Sequence, residues 1–196
     1  MKIGLIADTH DAIAPFDTIR DRLVEAFTGV ELILHCGDLT TIDLLDRLEA
    51  IAPVVAVRSS NDPPAEPPRL FDGPHVLEAG GLTIGLVCTL GEGEPASAFD
   101  RPVDVVVHGG THAASVDERG GVLAVNPGSP TLADEVSVAV LEIVEGRPSA
   151  VIVRWRSRPG RPGPLPEGLG GPALDDVRPN AERTTGAAPG PQGCRL

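Results

Sequence analysis

Three times within residues 1–62 a short apolar run stops on a polar cluster, and a stretch of helical period follows each of the first two runs. The first run, Ile3-Gly4-Leu5-Ile6-Ala7, ends on Asp8-Thr9-His10. The second, Leu32-Ile33-Leu34, leads into His35-Cys36-Gly37-Asp38, and the third, Val54 to Val57, ends on Arg58-Ser59-Ser60-Asn61-Asp62. Apolar runs of this length bounded by polar residues read as buried strands. Between them, Asp17 to Phe27 carries Ile19, Leu23, Ala26 and Phe27 at helical spacing, with Gly29 as a stop signal. Leu44, Leu45, Leu48 and Ile51 make a second apolar stripe, which Thr40 or Thr41 can cap and Pro53 closes. Such strand–helix units dictate a parallel sheet with right-handed crossovers, so all three polar clusters collect at one edge. Open α/β sheets place ligands there, beyond the carboxyl ends of the strands.

Thr9 separates Asp8 from His10, so in an extended segment both side chains point the same way and can converge on one cation. The local alternative is that Asp8 caps a turn and His10 is a solvated loop residue. After the proline-rich segment Pro63 to Pro68, strand follows strand: His75 to Ala79, Leu82 to Cys88, Val103 to His108, Val122 to Asn126, Val136 to Val144 and Ala150 to Trp155. Glu145-Gly146-Arg147 supplies a turn, and this half is expected to be largely antiparallel. An αββα sandwich, with two sheets face to face and helices outside, accommodates both halves in one domain spanning residues 1–156. From Ser157 to Leu196 eight prolines and eight glycines replace the apolar pattern, a composition expected of a disordered tail.

A formal net charge of −12 and an aromatic content of 3% disfavour nucleic acid and anionic membrane as partners. The amino-terminal apolar run is too short for a secretory segment and no 18-residue apolar stretch exists, so a cytoplasmic protein is expected. Cys36, Cys88 and Cys194 lack zinc-finger spacing, and the first two are expected in the core.

A fourth cluster, His108-Gly109-Gly110-Thr111-His112, follows the strand at Val103 to Val107. Asp8-Thr9-His10, Gly37-Asp38, the Arg58 to Asp62 loop and this glycine–histidine run, in that order, resemble the calcineurin-like metallophosphoesterases, nearest the small YfcE-type phosphodiesterases. Asn126-Pro127-Gly128-Ser129 fits the same pattern, and the resemblance covers roughly residues 1–156. It implies two divalent metals about 3.5–4 Å apart. Carried over residue by residue, the first site is complete: Asp8, His10, Asp38 and His112. The second is not. Where the family has Gly-Asn-x-Asp, this chain has Ser59 and Ser60 ahead of Asn61 and Asp62; Leu90 stands at one histidine position and Gly110 at the other. Asn61, out of register by one residue, and His108 are the remaining candidates for a weak second site, with Glu92 and Glu94 in nearby loops.

One ion is therefore expected, with two not excluded. Mn²⁺ is the first choice and Fe²⁺ or Zn²⁺ the others, because two imidazoles and two carboxylates suit these metals. Asp38, Arg58 and Asn61 are the candidate catalytic residues. Arg58 would face the substrate phosphate, its other reading being a solvated or paired charge. His35 is expected as an outer partner of a ligand, Asp62 as a turn residue or such a partner, His75 at the surface, and Gly128-Ser129 in a tight turn under the site. The resemblance implies a metal-dependent phosphoesterase that hydrolyses phosphodiesters of small phosphorylated substrates through a metal-bound hydroxide. The alternative is a non-catalytic scaffold on the same fold, as in a retromer subunit that resembles this family, with the tail as a protein-binding arm. Substrate choice would be set by the loops at residues 63–74 and 91–99.

Overall fold

The computed structural model describes residues 1–155; the expected tail, with its proposed role as a binding arm, lies outside the described residues. In chain order the elements are β1 (Lys2–Ile6), α1 (Arg20–Ala26), β2 (Leu32–Cys36), α2 (Asp43–Glu49), β3 (Val54–Val57), β4 (Leu70–Phe71), β5 (His75–Ala79), β6 (Leu82–Thr89), β7 (Val105–Gly109), β8 (Ser115–Arg119), β9 (Val122–Asn126), β10 (Val136–Val144) and β11 (Arg147–Trp155). The three expected strands pair in parallel, Ile3 opposite Leu32 and Leu34 opposite Val55. They form the centre of a six-stranded sheet ordered β11-β10-β1-β2-β3-β4, and the second sheet is ordered β5-β6-β7-β9-β8.

The alternation of strand side chains builds two cores. Ile3, Leu5 and Ala7 of the first sheet meet Leu82, Ile84 and Leu86 of β6 and Val105 and Val107 of β7 between the sheets. On the opposite face of the first sheet, Ile6, Ile33, Val54 and Ala56 pack against Leu23 and Phe27 of the α1 segment and Leu44, Leu45 and Leu48 of α2. Gly4 makes that packing fit: a Cβ there would lie 3.0 Å from the Phe27 ring. Over the outer face of the second sheet the fourth layer is thin. Its apolar cover is Val103, Val106 and Val122 with Leu90, Ala96 and Phe99, arranged around a 3-10 turn at Pro95–Ala98. The segment Gly91-Glu92-Gly93-Glu94-Pro95 has too little helix propensity and too much turn chemistry for a longer helix.

Several local expectations are corrected. The first helix begins only at Arg20, because Pro15 fixes an entry that closes as a separate 3-10 turn at Phe16–Thr18. Neither threonine caps α2: Thr41 Oγ1 donates to Asp11 Oδ2 at 2.7 Å and Thr40 Oγ1 accepts from Ala12 N–H at 2.9 Å, so both tie the loop after β1 to the loop after β2. The second sheet is mixed rather than largely antiparallel, since β6, β7 and β9 run parallel. Connection length decides the direction. Gly80-Gly81, Gly120-Gly121 and Glu145-Gly146 all have positive φ and close two-residue hairpins between β5 and β6, β8 and β9, and β10 and β11. The long segment between β6 and β7 instead permits a crossover. Among the described residues no helix is long and apolar enough to cross a membrane.

Candidate metal centre

Beyond the last paired residues of β1 and β2 the two chains stay joined, with Asp8 N–H donating to Gly37 C=O at 3.0 Å and His10 N–H to Asp38 C=O at 2.8 Å. Asp8 and His10 are nevertheless not extended. Their φ angles are 52° and 48°, so the two side chains converge through left-handed turns and not through strand alternation, which corrects the sequence-based reasoning. Asp38, Thr40 and His112 are also left-handed, leaving Glu145 as the single non-glycine residue of this kind away from the cluster among the described residues. Asp and His tolerate this region better than most residues, yet each such position costs energy and persists only where its surroundings over-determine it. Here they do. Ser129 Oγ donates to Asp8 C=O at 2.7 Å and Thr131 Oγ1 to Thr9 C=O at 2.8 Å, while Gly110 N–H donates to both Asp8 carboxylate oxygens at 3.0 and 2.9 Å. Ser129 thus does more than fix a turn, and Thr131 had no signal in the sequence. Gly109 must be glycine for the sheets to meet: an added Cβ would lie 2.7 Å from Ala7 Cβ and 3.0 Å from Cys36 O.

One ligand atom each from Asp8, His10 and His112 lies within 4.8 Å of the others. The two imidazoles face each other, His10 Nε2 to His112 Nε2 at 3.2 Å, although 102 residues separate them in the chain. His112 Nδ1 lies 2.9 Å from Leu132 C=O, an acceptor only, so the proton sits on Nδ1 and the Nε2 lone pair points inward. A metal-binding histidine needs this arrangement: the outer nitrogen donates to a carbonyl and the inner one is bare. The donor set therefore fits a transition-metal cation.

Asp38 stands beside this triplet but outside the group whose ligand atoms lie within 4.8 Å of one another, so the structure gathers three of the four expected ligands of the first site. Its charge acts on both Asp8 and His10, and its Oδ1 accepts from Ser59 Oγ and from Asn61 Nδ2, the latter at 3.1 Å. Asp62 organises the loop: its carboxylate accepts N–H donors from Asp38 at 2.9 Å, Thr40 at 2.8 Å and Ser59 at 2.7 Å. Arg58 turns back on the same loop, reaching Pro63 C=O at 2.8 Å, Asp62 C=O at 3.1 Å and Asp72 Oδ1 at 2.9 Å. His35 is fully buried with Nε2 3.0 Å from Thr9 Oγ1, behind the turn between Asp8 and His10. His75 is half-buried and stacks on Phe71 at 3.8 Å. His108 shares the outer face of the second sheet with Val106, where Arg119 and Asp117 are the charges that act on it. Leu90 packs under that same outer layer.

Electrostatics follow from burial. The Asp8 carboxyl is pushed up to about 6, chiefly by desolvation and partly by Asp38, against the opposing pull of Gly110 N–H and His112. Desolvation lowers the His10 pKa, which keeps its nitrogen available for a cation near neutrality. For an acid whose folded pKa is raised, the contribution to stability of the metal-free protein is full below the unfolded value of 3.8 and is lost as pH rises through about 6. Metal binding has the opposite dependence, because the cation must displace the Asp8 proton. Mn²⁺ affinity measured by titration calorimetry is expected to fall at least about tenfold between pH 7 and pH 5. A flat profile would contradict this environment for Asp8.

A sequence model of the calcineurin-like phosphoesterase superfamily domain matches residues 1–146. A probable metallophosphoesterase of Methanothermobacter thermautotrophicus is 35% identical over 166 residues, covering 79% of this chain and 92% of its own. A phosphodiesterase of Methanocaldococcus jannaschii is 27% identical over 144 residues, covering 65% and 83%. Among solved structures, Vps29 of Entamoeba histolytica complexed with Zn²⁺ superposes with a TM-score of 0.58 at 25% identity, covering 79% of this chain and 99% of that one.

Proposed function

The chain belongs to the calcineurin-like phosphoesterase superfamily, and we propose that within it this protein is a phosphodiesterase that works through one divalent metal. The observation that carries the proposal is the inward-facing pair His10 Nε2 and His112 Nε2, 3.2 Å apart beside the Asp8 carboxylate. Asp8, His10, Asp38 and His112 would hold the metal, with Mn²⁺ preferred and Fe²⁺ or Zn²⁺ as alternatives for such a nitrogen and oxygen set. When bound there, the metal supplies Lewis acidity toward a phosphoryl oxygen and lowers the pKa of a coordinated water.

The chain's own residues do the positioning. Leu132 C=O fixes the His112 tautomer, Gly110 N–H orients the Asp8 carboxylate, and Ser129 and Thr131 hold the left-handed turn that turns His10 inward. Asp38 contributes its charge from a buried position, with Asn61 beside it. Arg58 braces the Ser59 to Asp62 loop through its contacts to Pro63, Asp62 and Asp72, which gives it an indirect part in the reaction. The substrate would be a small phosphodiester.

Hydrolysis of a chromogenic phosphodiester tests this reading. Turnover is expected with added Mn²⁺ and is expected to vanish in chelator. The competing reading is a scaffold that keeps a structural metal, favoured by the fold shared with a Zn²⁺-bound Vps29. Tight metal binding with no turnover of any phosphoester would select it.

A further inference from the structure

We propose that the Ser59 hydroxyl and the Asn61 side-chain amide take the place of a second cation on Asp38, making the centre mononuclear by construction and Ser59 a positioning residue for the single metal. This rests on the one-metal reading above. Asp38 is 2% exposed and Ser59 3%, so neither carboxylate nor hydroxyl can exchange its partner freely for water. Oδ1 of Asp38 accepts from both Ser59 Oγ and Asn61 Nδ2. A carboxylate oxygen offers two lone-pair directions, and two donors use both. A cation bridging through Oδ1 would have to break both hydrogen bonds, whereas Oδ2 receives no hydrogen bond from the described residues and is left for the first site.

The donors are themselves held. Asn61 N–H donates to Ser59 Oγ at 3.0 Å, which uses a lone pair of the hydroxyl and leaves its proton for Asp38. Ser59 N–H and Asp38 N–H both donate to Asp62 Oδ2, fixing the two residues to one anchor. Hydrogen bonds to a charged acceptor are about twice as strong as neutral ones, so two of them compensate a buried carboxylate that lacks a second metal. Ser59 and Asn61 therefore aim Asp38 and stabilise its buried charge, while Gly110 and Leu90 supply no ligand of their own to a second ion.

The test is Mn²⁺ titration calorimetry on the full chain, with thermal melting of the metal-free protein alongside. Wild type is expected to bind one Mn²⁺. Ser59→Ala is expected to keep the 1:1 stoichiometry but bind about tenfold more weakly, and to melt lower than wild type without metal because Asp38 and Asn61 N–H each lose a partner; Ser59→Thr, which keeps the hydroxyl, is expected to recover the wild-type affinity. The double variant Ser59→Gly with Ser60→Asn, which removes the hydroxyl and places an amide one residue earlier, is expected to gain a second, weaker Mn²⁺. Unchanged affinity in Ser59→Ala, or two tight ions in wild type, would overturn the proposal. Failure of the phosphodiesterase reading shows separately, as absence of turnover with these binding results intact.

Discussion

Replacement of His112 by alanine is expected to lower kcat/KM for a phosphodiester by at least about 100-fold, equivalent to ~3 kcal/mol of transition-state stabilisation. His112 is a lone contribution from the second sheet to a group otherwise built on the first, so no neighbouring side chain can replace it. Its removal deletes one nitrogen donor and leaves His10 Nε2 without its 3.2 Å partner. The Leu132 carbonyl that held Nδ1 is exposed enough to take a water, so the fold should survive. The check is paired: metal content and steady-state kinetics on His112→Ala, with His75→Ala, which loses only the stack on Phe71, as the comparison. Retention of both metal and rate in His112→Ala would refute the site.

Asp62→Ala is expected to be the most destabilising single change at the site, by about 3–5 kcal/mol. The mechanism is orphaned donors. Three backbone N–H groups, from Asp38, Thr40 and Ser59, end on this one buried carboxylate, and alanine leaves all three without their acceptor, those of Asp38 and Ser59 in buried positions and that of Thr40 in a partly buried one. A melting temperature lower by about 10 °C follows for a domain of this size. Asp62→Asn, which keeps one carbonyl oxygen, should lose less than half as much. Equal stability of Asp62→Ala and wild type would show that the loop does not depend on this anchor.

Much of the fold was legible because period and punctuation agree in the first sixty residues. Leu23 and Phe27, and Leu44, Leu45 and Leu48, are buried as their spacing requires, and the parallel order of β1, β2 and β3 follows from the helices between them. Legibility failed where a segment has no apolar face. β8, Ser-Val-Asp-Glu-Arg, is a mostly exposed edge strand whose partner β9 alone defines it, and β4 is only two residues long. The parallel β6, β7 and β9 were missed because strand composition does not encode direction; loop length does.

At the site, residue types were readable and their wiring was not. Asp8, His10 and His112 stand out by spacing and order, yet convergence comes from left-handed backbone that no pattern announces. Ser59 looks like a simple departure from a glycine until its hydroxyl is seen on Asp38, and of the two readings of Arg58 the sequence could not show that its guanidinium is paired within its own loop. Leu132 acts through its backbone carbonyl and Thr131 through one hydroxyl among many in the sequence, so their roles depend on where the chain brings them.

The central claim is a single metal held by Asp8, His10, Asp38 and His112, and elemental analysis of the purified protein after Mn²⁺ loading and dialysis tests it most directly. One tightly held equivalent per chain is predicted; two equivalents, or none, would contradict it.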